Sequence, residues 1–400
     1  MFHKKGLSDI DLKDKRVLLR ADYNVPMHEG EIEDDYRITQ SVPTIQALLE
    51  QHCRVVIVSH LGRPKGKVVD ELSLRPVVER LSELLEHEVQ FAEDVVGEKA
   101  HAAVHSMRPG DVLLLENIRF ESGEVADDEA FAERLASFGD VLVQDAFGVV
   151  HRAHASTHAV TERLPSVAGL LLENEVRQIT RAIEHPKKPM VAIIGGAKIH
   201  TKIQLLDNLI PKVDRLLIGG AMSNTFLVAL GYEIGLSLHD EDEVSVAKEI
   251  IAQCKREHTH LVLPRHDVAV AKSVSPRARR KNIPTDEVGP KDYILDIGDK
   301  TTDAMIENLR DAGTVIWNGP VGMFELKAFA EGSNRLAEFI AKEKIDCVIG
   351  GGDTVELIDE LDLRDAFTHV STGGGSALEL MSGLPLPGVE ALLDKKEHKR

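Results

Sequence analysis

The sequence predicts an α/β protein of two doubly wound, parallel-sheet (Rossmann-like) domains joined by a helical hinge. Three observations lead there. Short β-branched and aliphatic runs alternate with amphipathic segments along the chain, the pattern of parallel sheets covered by helices on both faces. In the second half, Gly195-Gly196-Ala197-Lys198, Gly219-Gly220-Ala221, Gly350-Gly351-Gly352-Asp353-Thr354 and Gly373-Gly374-Gly375-Ser376 each follow such a run and precede a helical stretch. In the first half the runs lead instead into Arg, His and Asn, at Arg20-Ala21-Asp22-Tyr23-Asn24, Ser59-His60-Leu61-Gly62-Arg63 and Asn117-Ile118-Arg119.

Strands are predicted at 17–19, 55–58, 112–115 and 141–143, where aliphatic residues are bounded by polar or turn residues. Amphipathic segments at 42–49, 75–85, 95–104 and 128–138 supply the intervening helices. A further helix is expected over 171–184, stopped by the prolines of His185-Pro186-Lys187-Lys188-Pro189. Strands then follow at 190–194, 216–218, 261–263, 315–317, 347–349 and 369–370, with helices such as 241–255 and 333–343 between them. Residues 1–170 are thus expected to form an N-terminal domain, 171–188 the interdomain helix and hinge, and 189–383 a C-terminal domain. The break at Gly383-Leu384-Pro385-Leu386-Pro387-Gly388 lets the last residues leave the second domain.

Composition limits the function. A chain of 400 residues exceeds one ordinary core. Forty-eight basic against 66 acidic side chains give a net charge of −18, which argues against a broad nucleic-acid surface. An anionic substrate therefore needs a local basic patch. Cys53, Cys254 and Cys347 lie far apart without a CxxC pair, and read as buried free thiols in a reducing compartment. No apolar stretch follows the charged start and no run approaches a membrane span, so a cytoplasmic protein is expected.

Ligands of open parallel sheets bind beyond the carboxyl ends of the strands, where all these unusual residues fall. Glycine there lets the backbone approach a phosphate, and the next helix offers free N–H groups. A single glycine loop is also the ordinary residue choice of a tight turn; four in one half are a stronger signal. No GxxxxGK[ST] loop occurs, nor GxGxxG with an acidic residue roughly 20 positions on. Lys198 and Lys202 are expected to share one face at a helix start, where they oppose its dipole unless an anion offsets them. Asp353 suits either a Mg²⁺ contact or an N-cap. Arginine suits bidentate capture of carboxylate and phosphate, although Arg20, Arg37, Arg63, Arg119 and Arg152 taken singly read as surface salt bridges. His151-Arg152-Ala153-His154 lacks a third zinc ligand.

Over essentially its whole length the chain resembles the phosphoglycerate kinase family. The resemblance is carried by Arg20-Ala21-Asp22-Tyr23-Asn24-Val25-Pro26, Ser59-His60-Leu61-Gly62-Arg63-Pro64, Leu115-Glu116-Asn117-Ile118-Arg119-Phe120 and Asp145-Ala146-Phe147-Gly148-Val149-Val150-His151-Arg152-Ala153-His154. In the second half it rests on Gly195-Gly196-Ala197-Lys198, Asn318-Gly319-Pro320-Val321-Gly322-Met323-Phe324-Glu325, the 350–354 loop and Ser371-Thr372-Gly373-Gly374-Gly375.

The resemblance implies phosphoryl transfer between 1,3-bisphosphoglycerate and ADP, giving 3-phosphoglycerate and ATP, with Mg²⁺ and by hinge closure. It implies that Asp22, Tyr23, Asn24, Arg37, His60, Leu61, Gly62, Arg63, Arg119 and Arg152 hold the phosphoglycerate. Gly196, Ala197, Lys202, Gly220, Asn318, Pro320, Glu325, Gly351, Gly352, Asp353 and Thr354 would hold the nucleotide, with Glu325 on the ribose and Asp353 on Mg²⁺. Arg37 and Lys198, with the N–H groups of Gly373 and Gly374, would meet the phosphoryl group in flight. It further implies a monomer whose C-terminal segment, 384–400, returns to the N-terminal domain. Two departures stand out: His200 where the family more often has a small hydroxyl residue, and Val149-Val150 for a Thr-Ala pair. The imidazole either adds pH sensitivity near the phosphates or faces solvent.

Two rival readings remain. A metabolite-binding protein would close on its ligand without turnover, and a kinase of another acyl phosphate would accept acetate or carbamate. The five arginines suit a larger, doubly anionic substrate better than acetate.

Overall fold

In the computed structural model, which describes residues 2–395, the apolar runs of the first half become one six-stranded parallel sheet. Its strands are Arg16–Arg20 (β1), Arg54–Val58 (β2), Val89–Ala92 (β3), Val112–Leu115 (β4), Val141–Gln144 (β5) and Ser166–Ala168 (β6), in the order β3-β4-β2-β1-β5-β6. Val17 lies opposite Val55 on one side and Val141 on the other. Successive side chains of a strand point to opposite faces. Val17 and Leu19 accordingly join Ile45, Leu48 and Leu81 in one core, while Leu18 joins Phe131, Leu135 and Phe138 in another. Burying each such Leu or Val contributes roughly 1.5–3 kcal/mol, so continuous apolar strands are what a sheet covered on both sides requires. The edge strands β3 and β6 were not expected; four and three residues carry too little pattern.

The chain divides into two units, one running to Arg177 and resuming at Pro385, the other from Gln178 to Leu384. The boundary falls inside the helix Leu170–Glu184. In the first unit the C-terminal segment lies beside the chain start: the Lys5 N–H donates to the Leu393 carbonyl at 2.7 Å, and the Lys395 N–H to that of His3 at 2.7 Å. The Gly388 N–H donates to the Val150 carbonyl at 2.9 Å. Residues 396–400 of the segment expected to return lie outside the described residues.

The second unit has its own six-stranded parallel sheet and a three-stranded antiparallel one. In chain order the strands are Met190–Ile194 (β7), Arg215–Ile218 (β8), His260–Val262 (β9), Asp267–Ala271 (β10), Lys281–Pro284 (β11), Tyr293–Ile297 (β12), Thr314–Asn318 (β13), Asp346–Gly350 (β14) and His369–Val370 (β15). The parallel sheet runs β9-β8-β7-β13-β14-β15 and the antiparallel one β11-β10-β12. Strict alternation of strand and helix gave no hint of β10 to β12. Val268, Val270, Ile283 and Ile294 form a small core with Leu227 and Ile234, while Ile297 joins the main core of the unit.

All three cysteines are buried and free. Among the described residues no helix is long and apolar enough to cross a membrane.

Candidate active site

In the first unit the residues that follow β1, β2 and β4 are tied to one another by hydrogen bonds between side chains and backbone. The Asn24 side-chain oxygen accepts the Gly62 N–H at 2.8 Å, and the Ser59 hydroxyl accepts the Tyr23 N–H at 2.7 Å. Asn117 donates its amide to the Leu61 carbonyl at 2.7 Å, and Arg119 its Nη1 to the Gly62 carbonyl at 2.8 Å. Arg37 reaches in from the helix Tyr36–Leu49, donating to the Asn24 carbonyl at 2.5 Å and lying 3.9 Å from the Asp22 carboxylate. His60 Nδ1 lies 3.7 Å from the other oxygen of Asp22.

The field of this group is positive. Burial alone would raise the Asp22 carboxyl, yet Arg37, Arg20 and the Asn24 N–H hold it below its ordinary value. His60 is pushed well below the ordinary imidazole range, first by burial and then by Arg20, Arg119 and Arg37, against Asp22. His154 falls to about 4 through burial and through Arg119, Arg20 and Arg152. Burial and the neighbouring Arg20 bring Arg119 itself down to about 10, and its Nε is a buried donor without a partner. Clustered cations with an unspent donor have the chemistry that suits an anion.

Three residues differ from their sequence reading. Arg20 is fully buried, not a surface salt bridge: it donates to the Ser156 hydroxyl at 2.8 Å and lies 3.9 Å from the buried Glu124. Tyr23 points into the core, its phenol 3.0 Å from the Ser41 hydroxyl, so its backbone alone is left beside Asn24. Arg63 is exposed and makes no hydrogen bond or ion pair among the described residues. Arg152 is exposed too, its Nε 3.1 Å from His151 Nε2, and acts on His154 and Arg119 through charge.

In the second unit the glycine loops after β7, β8, β13 and β14 pack backbone against backbone. The Gly195 N–H donates to the Asn318 carbonyl at 3.0 Å, the Gly196 N–H to Pro320 at 3.1 Å, and the Gly220 N–H to Val321 at 2.7 Å. Gly220 has φ +67°, and a Cβ there would sit 2.6 Å from the Gly196 carbonyl oxygen. Glycine is therefore needed to bring the two loops together. The Thr354 hydroxyl accepts the Gly319 N–H at 2.7 Å.

Lys198 and Lys202 do not share a helical face. A 3₁₀ turn spans His200–Lys202 and the helix starts only at Ile203. Lys198 is exposed, whereas Lys202 is half-buried and donates to the Asn318 side-chain oxygen. Burial lowers Lys202 to about 8, against the pull of Asp353. Nor is Asp353 an N-cap. Gly351 occupies that position and Asp353 lies in the first turn of Gly352–Glu360, where its charge favours the helix dipole. The Gly373 N–H donates to the Ser371 hydroxyl at 3.2 Å, and Gly374 opens the next helix beside Gly352.

Lys202, Asn318, Gly351, Gly352, Asp353, Thr354 and Gly374 line one hollow. A neighbouring cavity of about 480 Å³ shares Asp353 with it and takes Gly196, Ala197, Gly220, Pro320 and Glu325 at its rim. Its apolar wall is Leu236, Leu238, Val274, Tyr293, Leu295 and Met323, a surface the sequence reading missed. The available signal was Leu236 and Leu238 beside Gly235, leucines left 52% and 61% exposed. An apolar slot next to glycine loops suits a base and its phosphates. Asp353, an exposed carboxylate shared by both spaces, is the hard oxygen donor that Mg²⁺ prefers.

The family model described as phosphoglycerate kinase matches residues 7–384. The phosphoglycerate kinase of Pelotomaculum thermopropionicum is 47% identical over 392 residues, covering 98% of this chain and 100% of its own. That of Roseiflexus castenholzii is 49% identical over 393 residues, covering 98% and 99%. Among solved structures, phosphoglycerate kinase from Coxiella burnetii superposes with a TM-score of 0.88 at 40% identity, covering 97% of this chain and 98% of its own. The enzyme from Pyrococcus horikoshii gives 0.81 at 30%, covering 98% of each.

Proposed function

The chain belongs to the phosphoglycerate kinase family, and from that premise we propose that it moves a phosphoryl group reversibly between 1,3-bisphosphoglycerate and ADP, giving 3-phosphoglycerate and ATP. The proposed setting is glycolysis in the cytoplasm, and the proposed acting form is a monomer. The observation that carries the substrate assignment is the arginine field around Asp22 and His60, with the unspent Nε of Arg119 inside it.

In the reverse direction the nucleophile is a carboxylate already ionised at neutral pH, so no general base is required. His60 fits that chemistry, since burial and the arginines keep it neutral and it serves as a hydrogen-bonding group. Asp22, Asn24, Arg37, His60, Arg63, Arg119 and Arg152 hold the phosphoglycerate, joined by the backbone of Tyr23, Leu61 and Gly62. Lys202, Thr354 and the loops at Gly196, Gly220 and Gly351 hold the nucleotide phosphates, with Glu325 on the ribose. Mg²⁺, held through Asp353 with the nucleotide, supplies charge neutralisation of the phosphates. Arg37, Lys198 and the N–H groups at Gly373 and Gly374 stabilise the transferring group, and positioning with charge stabilisation supplies the catalysis. The two sets of residues belong to different units, so direct in-line transfer calls for closure.

The test is ADP formation from MgATP and 3-phosphoglycerate, drained by a coupling dehydrogenase, with acetate as control. Turnover that requires 3-phosphoglycerate and Mg²⁺ is expected. Binding of both ligands by folded protein without turnover would overturn the reading. Scattering should report a more compact particle only with both substrates present.

A further inference from the structure

His200, Asp240 and Glu243 meet at the turn His200–Lys202, which follows Lys198. One ligand atom from each lies within 4.8 Å of the others. Glu243 is buried at the N-cap of the helix Val244–Arg256. Its carboxylate accepts the Ile199 N–H at 2.9 Å and the His200 N–H at 2.8 Å, and it also contacts His200 Nδ1. Asp240 is half-buried and anchored by its N–H to the Thr225 hydroxyl at 3.2 Å. Among the described residues no lysine or arginine pairs with either carboxylate, and the half-exposed imidazole is the one ion-pair partner of Glu243. Glu243 thus already answers two N–H groups and the imidazole, and Asp240 accepts the Asp242 N–H at 3.2 Å; what the cluster offers is one nitrogen and two carboxylate donors within reach of a single ion.

We propose that His200, Asp240 and Glu243 form a site for a borderline divalent cation, Zn²⁺ in particular, separate from the nucleotide's Mg²⁺. One imidazole and two carboxylates are a mixed N/O donor set, which suits zinc and leaves a position open to water. Mg²⁺ favours oxygen ligands alone. An occupied site would pin the 199–202 turn from the side, because Glu243 already holds its backbone. The pinning would steady Lys198 and Lys202. That consequence rests on the roles proposed for the two lysines; the site itself does not.

The test titrates the full chain with Co²⁺ alone, read by its visible ligand-field absorption, and then displaces it with Zn²⁺. Saturable one-to-one binding is expected, with Zn²⁺ displacing Co²⁺ and excess Mg²⁺ failing to. His200→Ser and Asp240→Asn, both at non-core positions, should each weaken binding by at least about tenfold. The absence of a saturable band, or a band unchanged in both variants, would overturn the site. In that second case another of the chain's 18 histidines would hold the metal. Because absorption needs no turnover, its failure is distinct from failure of the kinase reading. A Zn²⁺-dependent change in nucleotide KM, present in the parent and lost in His200→Ser, supports the link to the lysines. Binding without that change would overturn the link.

Discussion

Lys202 and Asn318, 116 residues apart in sequence, are hydrogen-bonded side chain to side chain, and Asn318 donates onward to the Gly350 carbonyl at 2.8 Å. The ammonium of the loop after β7 is thereby held against the glycine loop after β14. Its burial is what lowers it to about 8.

That lowering gives a pH signature. The unfolded value is 10.5 and the folded value about 8, so between them the unfolded chain binds more protons. The Lys202 contribution to stability therefore rises with pH through that window. A nucleotide phosphate favours the charged ammonium, so binding near pH 8 should take up a proton and weaken above it. Calorimetry in buffers of different ionisation heat should register this uptake, and Lys202→Met should abolish it. Equal uptake in the variant would assign the proton elsewhere.

Two glycines separate folding from binding. Gly220→Ala meets the backbone of Gly196 at 2.6 Å with φ +67° and should cost at least about 1–3 kcal/mol. Gly352→Ala meets nothing within 4 Å at the start of a helix, so denaturation should show stability kept. Its nucleotide KM should nevertheless rise, because a methyl would stand where phosphate approaches. An unchanged KM would remove Gly352 from the contact.

Arg37→Ala and Lys198→Ala should each lower kcat by roughly a hundredfold or more, the scale for one transition-state donor. Steady-state kinetics at saturating substrates decides it. An unchanged kcat would take that residue out of the transfer step.

Asp145 accepts the N–H groups of Leu171 at 3.0 Å and Leu172 at 3.2 Å, and burial raises it from 3.8 to about 6. A raised carboxyl contributes stability that is full below pH 3.8 and lost as pH climbs through 6. The loss is on the order of 2–3 kcal/mol. Asp145→Asn keeps an acceptor for both N–H groups and should flatten that fall in urea midpoints between pH 4 and 6. The same slope in the variant would trace it to other carboxyls.

Glu124 is buried beside Arg20 at 3.9 Å and accepts the Ser156 N–H at 3.0 Å and hydroxyl at 2.7 Å. Glu124→Ala leaves a guanidinium buried without its counter-charge and should destabilise by about 3–5 kcal/mol. A loss under 1 kcal/mol in chemical denaturation would mean that Arg20 is solvated or otherwise paired.

By itself the sequence determined the two parallel sheets and the positions of the loops that follow their strands. Both are written locally: a strand covered on both faces must be apolar throughout, as at 55–58 and 190–194, and a backbone turning at positive φ needs glycine, as at Gly220 and Gly351. Only the tertiary structure decided which arginines turn inward and which stay exposed. Arg20 and Arg119 both follow strand-like runs, yet Arg20 is spent inside on Ser156 beside Glu124 while Arg119 keeps a free Nε. The tertiary structure also separated Lys198 from Lys202, built the apolar wall from β12 with Leu236 and Leu238, and set His200 against Glu243. Those outcomes depend on partners tens to more than a hundred residues away, which no local periodicity encodes.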